Sequence, residues 1–507
     1  MHLRPPTWSR LAMAAALATF PVRADHPADV RTALEALRSN NMAGVDRIFI
    51  KSANREGADR LLSLYELGGF YHLSGDARKS ADFFNTADAV AKNYEGRAVV
   101  SAGAAARTAG AVMFNDSLLR FEGYGYDKVM ARTLNALNFV LMGDMEGARV
   151  EVRKAEEYQR LERERHQRDL QQGRSRPPAD AEAPRLDNPT VRAAYGPMFD
   201  QVERVRNSFE NAFTYYLSSQ IYLAQGEDGL NDALVEIKRA AELAPQCPAV
   251  AAAYREITRA QNGDGPEPEA QGDPGPVPAR PEEGGTEPAD PSAPGPGGSV
   301  VVCFETGLVP PLEEVKLSLA VTGRMYALAF PIYRDFGGIQ PSLAVTPAVP
   351  ARTFTTAPIL ETRLLAVKSL QERMPGILAR GLAGAAAKAE VQKKAEKDWG
   401  FLGGLVTAVA TVVVTNADRR SWQSLPAEVQ VARFHLPPGP NTLSLRGPGW
   451  TETVPLAVPP GSHTFLVVRA FPGFRRIDLR TFGFPQGAAP VTEAAAPVDP
   501  SVVPVSK

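Results

Sequence analysis

The sequence is poor in the residues that carry most metal and redox chemistry. Among 507 residues there are two cysteines, Cys247 and Cys303, and six histidines. Two cysteines cannot make a disulfide scaffold, and with scattered histidines they leave no metal-ligand spacing. No metal or cofactor is expected. An excess of one charge is lacking too: 56 Lys and Arg face 57 Asp and Glu, for a formal net charge of −1. Without a basic face the chain has no electrostatic case for a nucleic-acid partner. No phosphate-cradling loop or zincin motif occurs, and "GPGGSV" at 295–300 lacks the strand and helix that would give it meaning. A long, strongly apolar run is missing as well. The nineteen uncharged residues Trp399–Ala417 reach roughly 28 Å as a helix, barely a hydrocarbon thickness, and seven of them are Gly, Thr or Asn. Basic residues flank both ends, so no positive-inside asymmetry orients a span. Phe401–Thr415 is therefore expected to be a buried element under a sheet, with no transmembrane span.

What is present begins with a leader. "MHLRPPTWSR" carries two arginines, "LAMAAALATF" is a ten-residue apolar run, and Val22 and Ala24 are small residues before Asp25. That pattern predicts a signal peptide over residues 1–24, cleaved between Ala24 and Asp25. No cysteine follows the apolar run, so a periplasmic or cell-envelope protein without a lipid anchor is expected. Residues 263–298 hold ten Pro and nine Gly among 36 positions, with many acidic residues. They read as a linker between two halves, 25–262 and 299–484. The tail 485–507 has the same character and reads as disordered.

The first half reads as an all-α, tetratricopeptide-like (TPR-like) helical-repeat domain. "LYELGGFYHLSGDARKSADFFNTA" places Gly68, Tyr71, Gly75 and Phe84 at the spacing of one helix pair. Small residues let two helices approach, an aromatic fills the groove, and Gly-Asp turns the chain. Ala136, Phe139, Gly143 and Ala148 repeat the pattern, and Ser219, Tyr222, Gly226 and Ala240 give a third copy. The turn glycines stand 68 and 83 residues apart, so other elements must intervene. The charged run Glu156–Arg176 alternates in sign at helical spacing and reads as a solvated helix.

The second half reads as an α+β domain with a small antiparallel sheet or sandwich. "SVVVCFETG", "VKLSLAV" and "MYALAFPIY" are strand-like, helical periodicity follows from Pro358 to Lys397, and Pro375 suits the first turn of a second helix. Two Pro-Pro-Gly turns, Pro437–Gly439 and Pro459–Gly461, each precede an alternating strand and predict hairpins. The two thiols fall in different halves and are expected to stay unpaired.

These pieces resemble a family of bacterial cell-envelope proteins, many of them lipoproteins, with a TPR-like N-terminal half. The resemblance rests on "NDSLLRFEGYGYDKVMARTLNALNFVLMGDMEGARVEVRKAEE", "VVCFETGLVPPLEEVKL", "LQERMPGILARGLAGAAAK" and "NADRRSWQSLPAEVQVARFHLPPGPNTLSL". It implies an envelope location and, because genes of that family often lie beside lipoprotein activators of penicillin-binding proteins, a link to peptidoglycan synthesis.

Candidates for catalysis are thin. Ser462 and His463 are adjacent, and neighbouring residues of a strand point to opposite faces. Glu305, Glu313 and Glu314 lie near a strand end where a carboxylate pair could act, but "LVPPLEEVKL" reads better as a polar loop entering the next strand. The expected function is a non-catalytic interaction scaffold for a protein or peptide partner, with Arg419, Arg420 and Trp422 as exposed interaction residues. In this reading the acidic linker sets the reach between two separately docking halves. The alternatives are a membrane-associated protein using residues 399–417 and a cell-wall hydrolase or transferase.

Overall fold

The computed structural model describes residues 25–100, 119–171, 186–262, 297–321, 324–334, 338, 340–384 and 417–483. The leader 1–24, the stretch Phe401–Thr415, nearly all of the linker and the tail lie outside the described residues.

The first half is helical: α1 (His26–Arg38), α2 (Met42–Ala53), α3 (Arg60–Ser74), α4 (Ala77–Val100), α5 (Gly125–Met142), α6 (Met145–Gln171), α7 (Pro189–Asp200), α8 (Ala212–Leu223), α9 (Leu230–Leu243) and α10 (Pro248–Asn262). Local chemistry sets many of the ends. Asn41, Asn188 and Asn211 accept backbone N–H groups at the starts of α2, α7 and α8. Gly75 and Gly143 close α3 and α5 at φ 85° and 82°, where a side chain would be strained. Ser80 Oγ–H donates to the Gly68 carbonyl at 2.7 Å, tying α4 to α3.

The helices fall into two kinds. Residues Leu61–Leu73 of α3, Ala212–Tyr222 of α8 and nearly all of α5 are buried on every side. The helices that follow them are amphipathic: α9 buries Ala233, Glu236, Ile237 and Ala240, a single stripe at helical spacing. The inner helices are covered twice, by their outer partners and by the second half of the chain.

That second half is built on a five-stranded sheet in the order β11-β10-β1-β7-β6, from β1 (Gly298–Thr306), β6 (Ala357–Leu360), β7 (Glu428–Leu436), β10 (His463–Phe471) and β11 (Phe474–Phe482). A four-stranded sheet stacks on it: β5 (Phe354–Thr355), β4 (Ala344–Pro347), β8 (Gly439–Gly447) and β9 (Trp450–Val458). β2 (Glu313–Val321) and β3 (Arg324–Ile332) form a separate hairpin, and a helix over 362–384 (α11) lies beside it. The central strand explains its own sequence. Val300, Val302 and Phe304 point into the core between the sheets, while Val301 and Cys303 point into the core shared with the helices. A strand buried on both faces is a continuous apolar run rather than an alternating one.

Several expectations change. The pairing is not purely antiparallel, because β1 and β10 run parallel. The Pro-Pro-Gly segments are not hairpins: each carries the chain from one sheet to the other, β7 to β8 and β9 to β10. The hairpins close instead at Gly449 and Gly473, at φ 73° and 77°. Pro375 does not start a helix, since α11 runs through it. The two halves are not separate bodies either. One hydrophobic core contains Leu67, Leu137 and Tyr216 from the helices with Val301, Val431 and Phe465 from the sheet. Cys247 and Cys303, buried free thiols, both belong to it. The elements on either side of the linker meet the same strand: α10 is fastened to β7 by the Glu256–Arg433 ion pair, and β1 is the neighbour of β7. Among the described residues no helix is long and apolar enough to cross a membrane.

Candidate functional site

The inner helices present their free face to a segment that runs from Ala417 to β7. Its backbone is held by Glu66, a fully buried carboxylate on α3. Glu66 accepts the N–H of Gln423 at 2.8 Å through Oε1 and that of Ser424 at 3.1 Å through Oε2. His26 Nε2 of α1 lies 3.1 Å from Glu66 Oε1 and 2.9 Å from the Ser421 carbonyl, closing over the segment from the other side. Trp422 stacks on Tyr65 at 4.8 Å and 13° and meets Phe84 edge-on at 5.7 Å. Its indole N–H donates to Ser424 Oγ at 2.7 Å. Gly69 makes the approach possible, because a methyl group there would lie 2.2 Å from Ser424 Oγ.

Arg420 anchors the upstream end. Its guanidinium bonds Asp418 at 2.6 and 2.8 Å, Asp59 at 3.0 Å and the Leu119 carbonyl at 2.9 Å. Arg419 pairs with Asp25 at 3.0 Å. The expectation of exposed interaction residues fails for two of the three: Trp422 is 0 % and Arg420 6 % exposed. Aromatic and guanidinium groups of that size gain more from the helical face and its carboxylates than from water, so they close the inside of the molecule. Arg419 alone stays partly open.

A second contact sits at the other end of α3. Ser80 donates to Gly68, so its oxygen accepts from Asn138 Nδ2 at 2.8 Å; Asn138 Oδ1 then faces His72 Nδ1 at 2.7 Å, which makes Nδ1 a donor. His72 Nε2 lies 3.1 Å from both oxygens of Glu305 on β1 and 3.1 Å from Arg469 Nε on β10. Arg469 continues to Asp478 on β11 at 2.5 Å. Burial alone would raise the Glu305 carboxyl, but His72 and Arg469 outweigh it and hold the group below its ordinary value. Glu305 is thus a buried residue near the end of β1, while Glu313 and Glu314 open β2 rather than lie in a loop. From β11, Arg476 and Arg480 sit against Gly75 and Gly143, where an added methyl would lie 2.6 and 2.1 Å from guanidinium nitrogens. Each places a cation at the carbonyl end of an inner helix, where the helix dipole favours it.

The remaining sequence candidates are packing residues. A methyl on Gly68 would lie 2.5 Å from Phe84, and one on Gly147 would lie 2.4 Å from Phe139. Tyr71 donates to Asp46 at 2.9 Å and stacks on Phe83. Ala136, Ala148 and Ala240 are fully buried, Ser219 donates to the Tyr216 carbonyl, and Tyr222 accepts from Arg153 at 3.3 Å. Gly226, at φ 81°, opens the turn before α9. Ala24 lies outside the described residues.

One hydroxyl–imidazole contact deserves a chemical test: Ser299 Oγ lies 2.7 Å from His463 Nδ1. Ser299 is buried, and burial together with the Arg433 charge pushes the His463 pKa down to about 3. An imidazole so weakly basic is a poor general base at neutral pH, and a buried hydroxyl meets no substrate. Among the described residues no group of three or more His, Cys, Asp or Glu side chains is placed to hold a metal ion. Comparison with protein-family models, with curated proteins and with solved structures finds no match.

Glu66, His72 and Arg469 were missed by sequence reasoning, and Glu305 was weighed there only as a catalytic carboxylate. A signal existed: Glu66 and His72 stand in "LYELGGFYHL", an otherwise uncharged stretch, and a polar group on an all-round buried helix must have a specific partner.

Proposed function

We propose that the protein is an exported, non-catalytic interaction scaffold of a bacterial cell envelope, built on TPR-like helix pairs and serving peptidoglycan synthesis or envelope assembly. The observation that carries this reading is the way the inner helices hold residues 417–425. A buried carboxylate takes two successive backbone N–H groups and an aromatic slot takes one indole, which is recognition of an extended chain rather than chemistry on one. The leader pattern of residues 1–24 supports export, and the sequence resemblance supports the envelope.

Because its own segment fills the inner face, the scaffold meets its partner through the outer helices. Photo-reactive residues at Val150 on α6 and Val235 on α9, both exposed, should give a discrete protein adduct in intact cells. Cytoplasmic retention of the chain, or digestion of peptidoglycan by the purified protein, would sink the proposal. So would adducts at neither position.

A further inference from the structure

The two sheets of the second half have four outer edges, β11 and β6 on one and β5 and β9 on the other, and three of the four are blunted. β5 has two residues, β6 has four with a register shift between Pro358 and Leu360, and β9 carries Pro455, which has no N–H to offer. β11 differs. It pairs with β10 without a break over all nine of its residues, contains neither Pro nor Gly, and among the described residues no strand pairs with its other side.

The core between the sheets is incompletely covered on that flank. Leu466 and Val468 of β10 are fully buried, whereas their partners on β11, Leu479 and Ile477, are half-buried. The other sheet shows the same step: Leu443 of β8 is fully buried, and its partner Val454 on β9 is half-buried, as is Trp450. Arg475 joins the two edges, with its Nε 2.7 Å from a Glu452 oxygen on β9 and its guanidinium 4.8 Å from the centre of the Trp450 ring. On the helix-facing side of β11 stand Arg476 and Arg480. Arg476 shares Asp478 with Arg469, while Arg480 pairs with no carboxylate among the described residues.

We propose that β11 accepts an added strand from a partner protein, an extended segment in which apolar side chains alternate with acidic ones. The segment's main chain pairs with the free edge of β11. Because successive side chains of a strand point to opposite faces, its apolar set covers Ile477 and Leu479 in the flank beneath Trp450 and Val454, and its acidic set stands beside Arg476 and Arg480. A basic segment, or one that is apolar throughout, satisfies only one of the two faces. This surface is separate from the outer helices α6 and α9, so it adds a second contact to the scaffold and does not depend on the first.

The probe is a capped, fluorescent nine-residue peptide of alternating valine and glutamate, matched to β11 in length and titrated onto the purified full chain. Anisotropy should report binding, and hydrogen–deuterium exchange should slow in β11 while β9 is unchanged. A strand added at one edge uses only every second amide of the peptide. N-methylation of one alternate set should therefore weaken binding at least about tenfold, and methylation of the other set should be tolerated. Lysine in place of glutamate should abolish binding, and Arg480→Glu should weaken it about fivefold. No binding at millimolar peptide, equal weakening by the two methylated sets, equal binding of the lysine peptide, or slowed exchange outside β11 overturns the proposal. So does a β11 already protected by dimerisation of the free chain, or binding that needs removal of residues 485–507, since the edge would then belong to a second copy or to the chain's own tail.

Discussion

The inner helices α3, α5 and α8 and the outer helices α4, α6 and α9 come from the same kind of helix pair, yet they solve different problems. An outer helix buries one stripe and leaves the opposite face to water. An inner helix buries all of its sides, and among the residues it hides are Glu66, His72, Asp127, Arg132 and Asn138. Each of these buried polar groups has a partner: Arg132 bonds Glu151 at 2.7 Å, Asp127 accepts the Tyr124 N–H, and Glu66 and His72 reach into the second half of the chain. The difference teaches that the helical half is not a module with an open groove. Its inner face is a core surface, completed by residues more than 200 positions away.

The largest effect should come from removing that completion. Residues 25–262 alone would expose faces of three helices that are buried on all sides in the full chain, and no linker composition can compensate. A melt followed by circular dichroism should show no cooperative transition, with aggregation in size-exclusion chromatography. A cooperative melt near that of the full chain would break the comparison. Next comes Trp422→Ala, which empties the slot between Tyr65 and Phe84 and should lower unfolding free energy by about 4 kcal/mol. Val235→Ala, on the exposed side of an outer helix, should stay within about 0.5 kcal/mol. Chemical denaturation of both variants measures the contrast directly.

How much of this was legible beforehand depends on how local each signal is. Gly75 and Gly143 could be read as helix stops because a left-handed cap is a property of a few adjacent residues. The run "SVVVCF" could be read as a strand for the same reason. Neither the burial of Trp422 nor the Glu66 contact could be, since Gln423 and Glu66 are 357 residues apart and the same Arg-Ser-Trp would serve equally on a surface. The Pro-Pro-Gly turns show the limit most clearly. Local chemistry says that the chain bends there, and only the register of the two sheets decides whether the next strand pairs back or crosses over.

The polar contact at His72 sharpens the comparison in a pH-dependent way. Glu305→Gln leaves His72 and Arg469 facing an uncharged amide, and it should lower stability by about 3 kcal/mol at pH 7. Because His72 and Arg469 hold the Glu305 carboxyl below its ordinary value against the effect of burial, its contribution is present at neutral pH. It is lost as pH falls below the ordinary carboxylate range near about 4. Denaturation curves of wild type and variant should therefore converge in acid. A gap that persists unchanged at pH 3 would mean that the carboxylate charge is not what fastens α3 to the sheet.

The smallest effect is the most discriminating for how the halves relate. If residues 263–296 set the distance between two docked bodies, shortening them must change function and leave each body intact. In one joined body the elements on either side, α10 and β1, both contact β7, so no distance between bodies needs to be set. Cutting these 34 residues to about ten should raise stability by roughly 1 kcal/mol, the closure entropy that a shorter loop no longer loses. A loss of stability, or a melt that splits into two transitions, would show that the helices and the sheet need the slack, and would return them to the status of separate domains.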